Sequence, residues 1–216
     1  MQLLRDIPAR FVATAAVVIV DQSCPVELEI ELAQESSVIY FAVIGLHQVR
    51  KKIHFKLNAN TRLQSYTVIG GSGNDQIAVD YLIEHCGRTS AAYTLVKGVF
   101  SGTAHAEIFG LIKIPSSGQQ TESFLEQRAL LLSESARANL QPKLQIEAND
   151  LKASHAATVG QLDEGQLFYC QSRGISRQAA RRLIVQGFLY DALAQLPDEA
   201  LRTAISLALR QKLALI

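Results

Sequence analysis

Residues Leu144–Phe188 read LQIEANDLKASHAATVGQLDEGQLFYCQSRGISRQAARRLIVQGF, and the chain changes character inside this stretch. Leu144, Ile146 and Ala148 alternate with Gln145 and Glu147, the period of a half-buried strand. The alternation predicts that the three apolar residues face a core and Glu147 faces outward. Asn149-Asp150 supplies a turn, and a brief second strand carries the pair Ser154-His155. From Gly160 the text is helical. Leu162, Leu167 and Phe168 lie on a short amphipathic segment that Gly174 ends as a C-terminal cap. Ser176 is then the N-cap of a longer helix through Leu193, with Ala179, Leu183, Gly187 and Tyr190 on one stripe. The chain therefore divides into a strand-rich core, residues 1–158, and a helical tail, residues 159–216.

Upstream, residues 11–158 are strand after strand. Val26, Leu28, Ile30 and Leu32 alternate with Glu27, Glu29 and Glu31, and Ile53, Phe55 and Leu57 alternate with Lys52, His54 and Lys56. Leu63–Ile69, Ile77–Ile83, Tyr93–Phe100 and Ala106–Ile114 are further strands. Between them lie turn clusters at Asn58-Ala59-Asn60, Gly70–Asp75, Ser101-Gly102 and Pro115–Gly118. Many short strands with small turns mean a sandwich, a barrel or a solenoid, and no strict repeat selects among them. In the tail, Pro197 opens a last helix. Asp198 and Glu199 suit its positive end and Arg210 and Lys212 its negative end, with Leu201, Ile205, Leu209, Leu213 and Ile216 at helical spacing.

Composition excludes more than it identifies. The chain has 216 residues, 48% hydrophobic and 19% charged, with a formal net charge of +1. That is the make-up of a globular protein, and it gives no electrostatic case for nucleic acid or an anionic membrane. The apolar run Val12–Val20 is too short to span a bilayer and reads as a buried strand. Cys24, Cys86 and Cys170 are odd in number and far apart, so neither a disulfide framework nor a preformed zinc site is indicated. The expected location is the cytoplasm. Gly70-Gly71-Ser72-Gly73 lacks a following Lys-Ser/Thr and a helix, so it is a loop and not a phosphate cradle.

The combination SHAATVG (154–160), QLFY (166–169), SRGIS (172–176) and Gly187-Phe188 resembles the C-terminal core of the SufB/SufD family, the scaffold subunits of SUF iron–sulfur cluster assembly. The likeness extends upstream through His85-Cys86-Gly87-Arg88-Thr89-Ser90 and Lys97-Gly98-Val99. It implies a mainly β fold, a right-handed parallel β-helix core with a C-terminal α-helical segment, and a non-enzymatic role. The implied partners are a SufB-like subunit or a second copy through the β-helix core, and a SufC-like ATPase through the C-terminal helices. No cofactor is expected in the isolated chain; iron or an iron–sulfur cluster would pass transiently at a partner interface. No fingerprint in the residues speaks for or against a flavin.

Two residues are candidate metal ligands. His155 matches the family's histidine near the SufB–SufD interface, and a neutral imidazole suits iron. The next residue is Ala156, where SufB-like sequences often carry a carboxylate. The position of the SufB-like cysteine falls near Gln127. Iron–sulfur clusters are held chiefly by thiolates, so the chain is closer to SufD and a poor scaffold by itself. Cys86 is the second candidate, beside His85; on a strand the two would point to opposite faces, so they share a metal only if they lie in a turn. Cys170 reads as core, and His105 as a strand residue on the outer face. Two other readings compete: a truncated paralogue that caps or regulates the assembly complex without contacting iron, and a β-helix enzyme acting on acidic polysaccharide. The second needs a carboxylate cluster and an aromatic cleft; the chain has no Trp, and Glu27, Glu29 and Glu31 lie on one strand face.

Overall fold

The structure is a computed structural model that describes residues 2–5, 7–21, 26–45, 50–196 and 198–213. Thirteen strands precede three helices: β1 (Gln2–Arg5), β2 (Arg10–Ala13), β3 (Ala16–Asp21), β4 (Glu27–Leu32), β5 (Ser37–Ile44), β6 (Arg50–Leu57), β7 (Arg62–Gly71), β8 (Gln76–His85), β9 (Ala91–Phe100), β10 (His105–Ile114), β11 (Thr121–Leu131), β12 (Arg137–Ile146), β13 (Leu151–Gln161), α1 (Glu164–Ser172), α2 (Arg177–Leu193) and α3 (Glu199–Lys212). From β2 onward, successive strands alternate between two sheets. The first has the order β1-β3-β5-β7-β9-β11-β13 and the second β12-β10-β8-β6-β4-β2. Every pairing is parallel. The chain is thus a two-sheeted parallel β-solenoid with a helical flank. Sandwich and antiparallel barrel are excluded.

A repeat does run through the coils, at their corners rather than along their strands. Glu35, Asn60, Thr89 and Gln120 all have positive φ, and each is followed by a buried hydroxyl residue: Ser36, Thr61, Ser90 and Thr121. Three of these hydroxyls donate back to the carbonyl three residues earlier, Ser36 to Ala33 (2.6 Å), Thr61 to Asn58 (2.8 Å) and Ser90 to Gly87 (3.0 Å). Stacked corners also share backbone bonds, as from Asn60 N–H to Arg88 C=O and from Thr89 N–H to Gln119 C=O. At the opposite corner Gly73 and Gly102 lie one above the other, both at positive φ. A Cβ on Gly102 would come within 2.8 Å of the Gly73 backbone, so only glycine permits this stacking.

The solenoid interior is apolar and close-packed, with Ile19, Ile30, Tyr40, Phe55, Val79, Val96, Ile108 and Ile112 inside. A second apolar cluster lies outside the first sheet. There Val18, Val20, Phe41, Val43, Tyr66, Val68, Leu95, Val99 and Leu130 meet Val185, Leu189, Ala192, Leu201, Ile205, Leu209 and Leu213 of the tail. Strands of this sheet are therefore buried on both faces along their C-terminal halves. That is why β5, Ser-Val-Ile-Tyr-Phe-Ala-Val-Ile, shows no alternation and is missing from the sequence-based assignment, which also omits β1 and β11.

Several expectations need correction. The run Val12–Val20 is not one strand: it turns at Thr14-Ala15 and contributes to both sheets. Strand β13 continues to Gln161, and helix begins only at Glu164. Ser176 and Asp198 do cap α2 and α3 through bonds to backbone N–H groups, and Gly174 at φ +82° follows α1. The α2 stripe is misassigned, however. Val185, Leu189 and Ala192 face the sheet, whereas Leu183 and Tyr190 are exposed. The α3 stripe is as expected through Leu213; Cys24, Pro197 and Ile216 lie outside the described residues.

Candidate functional site

At the C-terminal end of the solenoid the sheets finish in β12 and β13, each of which pairs on one side only. Leu144 and Ile146 stand in register with the fully buried Ile112 and Ile114, so they point inward as the alternation predicts. They are nevertheless exposed, because no further coil covers them; only Ala148 of the three is buried. Val159, in register with Ala129, is exposed for the same reason. The end of the solenoid is therefore an apolar interior laid open, bounded by two unpaired strand edges. Unpaired edges of this kind are templates for association.

His155 sits on this end face. It is in register with the buried Leu125 and so points to the interior side of β13, where it is exposed. No hydrogen bond or ion pair engages its ring. Ala156 pairs with Glu126 and points to the opposite face, so a carboxylate at 156 would not face the imidazole across this strand. Gln127 lies one strand deeper, in register with Ala157, and is fully buried. Among the described residues no group of three His, Cys, Asp or Glu side chains is arranged to hold a metal ion. The end face contributes one imidazole.

His85 and Cys86 do lie where strand β8 gives way to a turn, yet the structure does not bring them together. The His85 ring is fully buried, with Nδ1 2.8 Å from Ser90 Oγ and Nε2 2.9 Å from Ser123 Oγ. Ser90 already donates its proton to Gly87 C=O, so Nδ1–H donates to Ser90 and Nε2 accepts from Ser123. Both ring nitrogens are committed to neutral partners. Cys86 is exposed, and burial pushes its thiol up, with Glu84 adding to the effect. Cys170 is half-buried and not core as expected, and His105 opens β10 with its ring partly exposed near Glu107.

Burial also lowers the His85 pKa to about 4 from an ordinary 6.5. The folded state keeps the ring neutral where the unfolded chain takes up a proton. This contribution to stability is whole above pH 6.5 and disappears as the pH falls toward 4. Its size is on the order of 3 kcal/mol. Urea midpoints at pH 7.5 and pH 4.5 should show a larger acid-side loss for the wild type than for His85→Gln. Equal losses would mean that His85 does not report on folding.

The helical flank is fastened to the sheet by a buried ammonium. Lys97 points out of the first sheet, its side chain 4% exposed. Its Nζ donates to Asp191 Oδ1 (2.5 Å) and Phe188 C=O (2.6 Å) and lies over the Phe188 ring. Arg181 donates to Leu132 C=O (3.2 Å), and Lys212 pairs with Asp75 (2.6 Å). Sequence reading singled out Lys97 only as part of Lys-Gly-Val; no local signal tells that it anchors a helix 94 residues away. With one face of α2 spent on the sheet, Leu183 (50% exposed) and Tyr190 (69%) form a solvent-facing stripe, joined on the flank by Phe168 (73%) and Tyr169 (60%) of α1.

The outer face of the second sheet carries Glu27, Glu29 and Glu31 as expected, but paired across strands. Lys52 meets Glu27 (2.8 Å), Lys56 meets Glu29 (2.9 Å) and Lys113 meets Glu84 (2.8 Å), while His54 lies between Glu29 and Glu84. Lys56 and Lys113 hold Glu29 and Glu84, respectively, below the usual carboxylate range. Such exposed cross-strand pairs favour the register and add little stability. A shallow groove of about 760 Å³ beside them has Leu82, Phe109 and Leu111 in its lining. Glu27, Glu29 and Glu84 thus answer lysines within the sheet.

A two-sheeted parallel solenoid with a helical flank defines a class of architecture. Residues 26–188 match the family model described as SUF system FeS cluster assembly, SufBD core domain, and the chain belongs to that family. It is similar to the iron–sulfur cluster assembly protein SufD of Bacillus subtilis, with 36% identity over 146 residues, covering 68% of this chain and 33% of the relative. Similarity to the Escherichia coli SufD is 34% over 119 residues, covering 55% and 28%. A SufBD family protein of Synechocystis is 37% identical over 112 residues, covering 52% and 25%. The chain spans about a third or less of the length of these relatives. Among the described residues no helix is long and apolar enough to cross a membrane.

Proposed function

We propose that the chain is a SufD-like accessory subunit of iron–sulfur cluster assembly. It pairs end to end through β12 and β13 with a SufB-like subunit and binds a SufC-like ATPase on the outer stripe of α1 and α2. The observation that carries this reading is the open end of the solenoid, where unpaired strand edges, exposed interior leucine and isoleucine, and His155 coincide. A partner's coil stacked there covers all three at once. Iron or a nascent cluster is cargo at that junction, and His155 supplies one neutral nitrogen while the partner supplies thiolates. The ATPase supplies the energy.

His155 is exposed and unbonded, so His155→Ala should leave the melting temperature unchanged and lower cluster yield when the chain is reconstituted with a SufB-like partner, the ATPase, iron and sulfide. The isolated chain should show no stable cluster absorption. Equal yields from wild type and variant would reduce His155 to a surface residue, and a robust cluster on the lone chain would place the ligands elsewhere. The docking stripe is tested separately. Tyr190→Ala and Leu183→Ala each remove an exposed apolar side chain and should weaken ATPase binding by about 1–2 kcal/mol, five- to thirtyfold in Kd, without changing the end-to-end pairing. Unchanged affinity for both variants would remove α2 from the interface.

A further inference from the structure

Three polar side chains inside the solenoid have no partner. Ser65 Oγ, Thr94 Oγ1 and both amide atoms of Gln127 are buried and make no hydrogen bond, although the residues are at most 1% exposed. They are neighbours. Ser65 of β7 and Thr94 of β9 stand directly in register, and Gln127 of β11 pairs with Val96, two residues beyond Thr94 on the same inward face. A buried polar atom without a partner is rare in folded proteins because its lost hydration is not replaced. Here four such atoms fall on three adjacent strands. The nearby Tyr81 and Thr67 show the alternative, since the Tyr81 hydroxyl donates to Thr67 Oγ1 at 2.7 Å.

We propose that this seam binds water. Ser65 and Thr94 lie on strands roughly 4.8 Å apart and do not bond each other, a spacing that one water between two hydroxyls bridges. Gln127 offers a donor and an acceptor together, which water can answer and an ion of either sign cannot. None of the three side chains is charged, so an ion here would lose its solvation with no opposite charge among them to compensate. Gly110 faces the amide from the second sheet. A Cβ there would come within 2.8 Å of Gln127 Nε2 and 2.5 Å of Leu125 Cδ2, so glycine at this position is what admits the Gln127 side chain to the interior. The terminal coil continues these rows with Pro142 beside Gly110 and Ala157 beside Gln127. Neither residue has a polar side-chain atom to serve the amide. Buried waters of this kind typically make two to four hydrogen bonds and are costly to remove.

Thr94→Val keeps the shape of the side chain and removes its hydroxyl. In a hydrated seam the variant strands a water and should lower the melting temperature by about 3 °C or more; in a dry interior it removes an orphan hydroxyl and should raise it. Gln127→Leu is expected to move the same way, and Ser65→Ala serves if either larger change prevents folding. A high-resolution crystal structure of the wild type should show ordered water within hydrogen-bond distance of at least two of the three side chains. An empty interior at that place, or a melting temperature raised by Thr94→Val, overturns the proposal.

Discussion

Deleting residues 162–216 should leave a β-solenoid that expresses as aggregate. The family resemblance implies that the tail docks an ATPase. The structure makes the tail a cover of the first sheet: Val18, Phe41, Val43, Tyr66, Val68, Leu95 and Val99 pack in one buried cluster with Val185, Leu189, Ala192, Leu201, Ile205 and Leu209 of α2 and α3. Exposing a large apolar side chain costs about 1.5–3 kcal/mol, and a domain has only about 5–15 kcal/mol to lose. Seven such residues on one contiguous face exceed that margin. Sedimentation of the truncated chain after expression, beside the full chain, measures the outcome. A soluble, monomeric core with an intact strand signature would show that the helices are ancillary.

How far the sequence could be read follows from which faces are covered. Strands of the second sheet have water on their outer face, so β4, β6 and β8 alternate cleanly and are legible. Where helices cover the first sheet the alternation vanishes, and β5 disappears into an apolar run. The coil repeat was legible in principle, as a left-handed residue followed by Ser or Thr near Ser36, Thr61, Ser90 and Thr121. The corners are 25, 29 and 31 residues apart and differ in composition, so no strict period announces them. The α2 stripe failed for a different reason. This helix is apolar on two sides, and periodicity alone cannot say which side meets the sheet; the sequence-based choice fell on the solvent side.

The candidate site was legible only through likeness to a family. His155 has no local signal of its own, since it lies within β13 and not at a turn. Its position on an exposed interior face depends on β13 being the last strand, which is a property of topology and not of composition. His85 is the converse case. Beside Cys86 it looks like half of a ligand pair, and its real partners, Ser90 and Ser123, come from the following corner and from β11 of the other sheet. A histidine satisfied by two hydroxyls is held neutral and fixed, which suits it to tie its own coil to the next one rather than to bind a metal.

The Lys97–Asp191 pair should prove asymmetric when its members are removed one at a time. Lys97 is buried and Asp191 is 56% exposed. Replacing Lys97 by Met keeps most of the apolar stem against Phe188 and leaves Asp191 to water; the losses that water does not make good are the bond to Phe188 C=O and the cation–π contact, about 1–2 kcal/mol. Replacing Asp191 by Ala leaves the ammonium inside with one carbonyl and one aromatic face. Breaking a buried pair in that sense costs about 3–5 kcal/mol, reduced here to about 3 kcal/mol because water reaches the carboxylate side. The melting temperature should therefore fall by roughly 6–12 °C for Asp191→Ala and by about one third to two thirds of that for Lys97→Met. The double variant should be more stable than Asp191→Ala alone, since removing the stranded charge removes its penalty. Because the same lysine holds α2 to the sheet, protease cleavage between β13 and α3 should accelerate in the same order. Equal losses for the two single variants would mean that Lys97 is solvated in solution and does not fasten the helix.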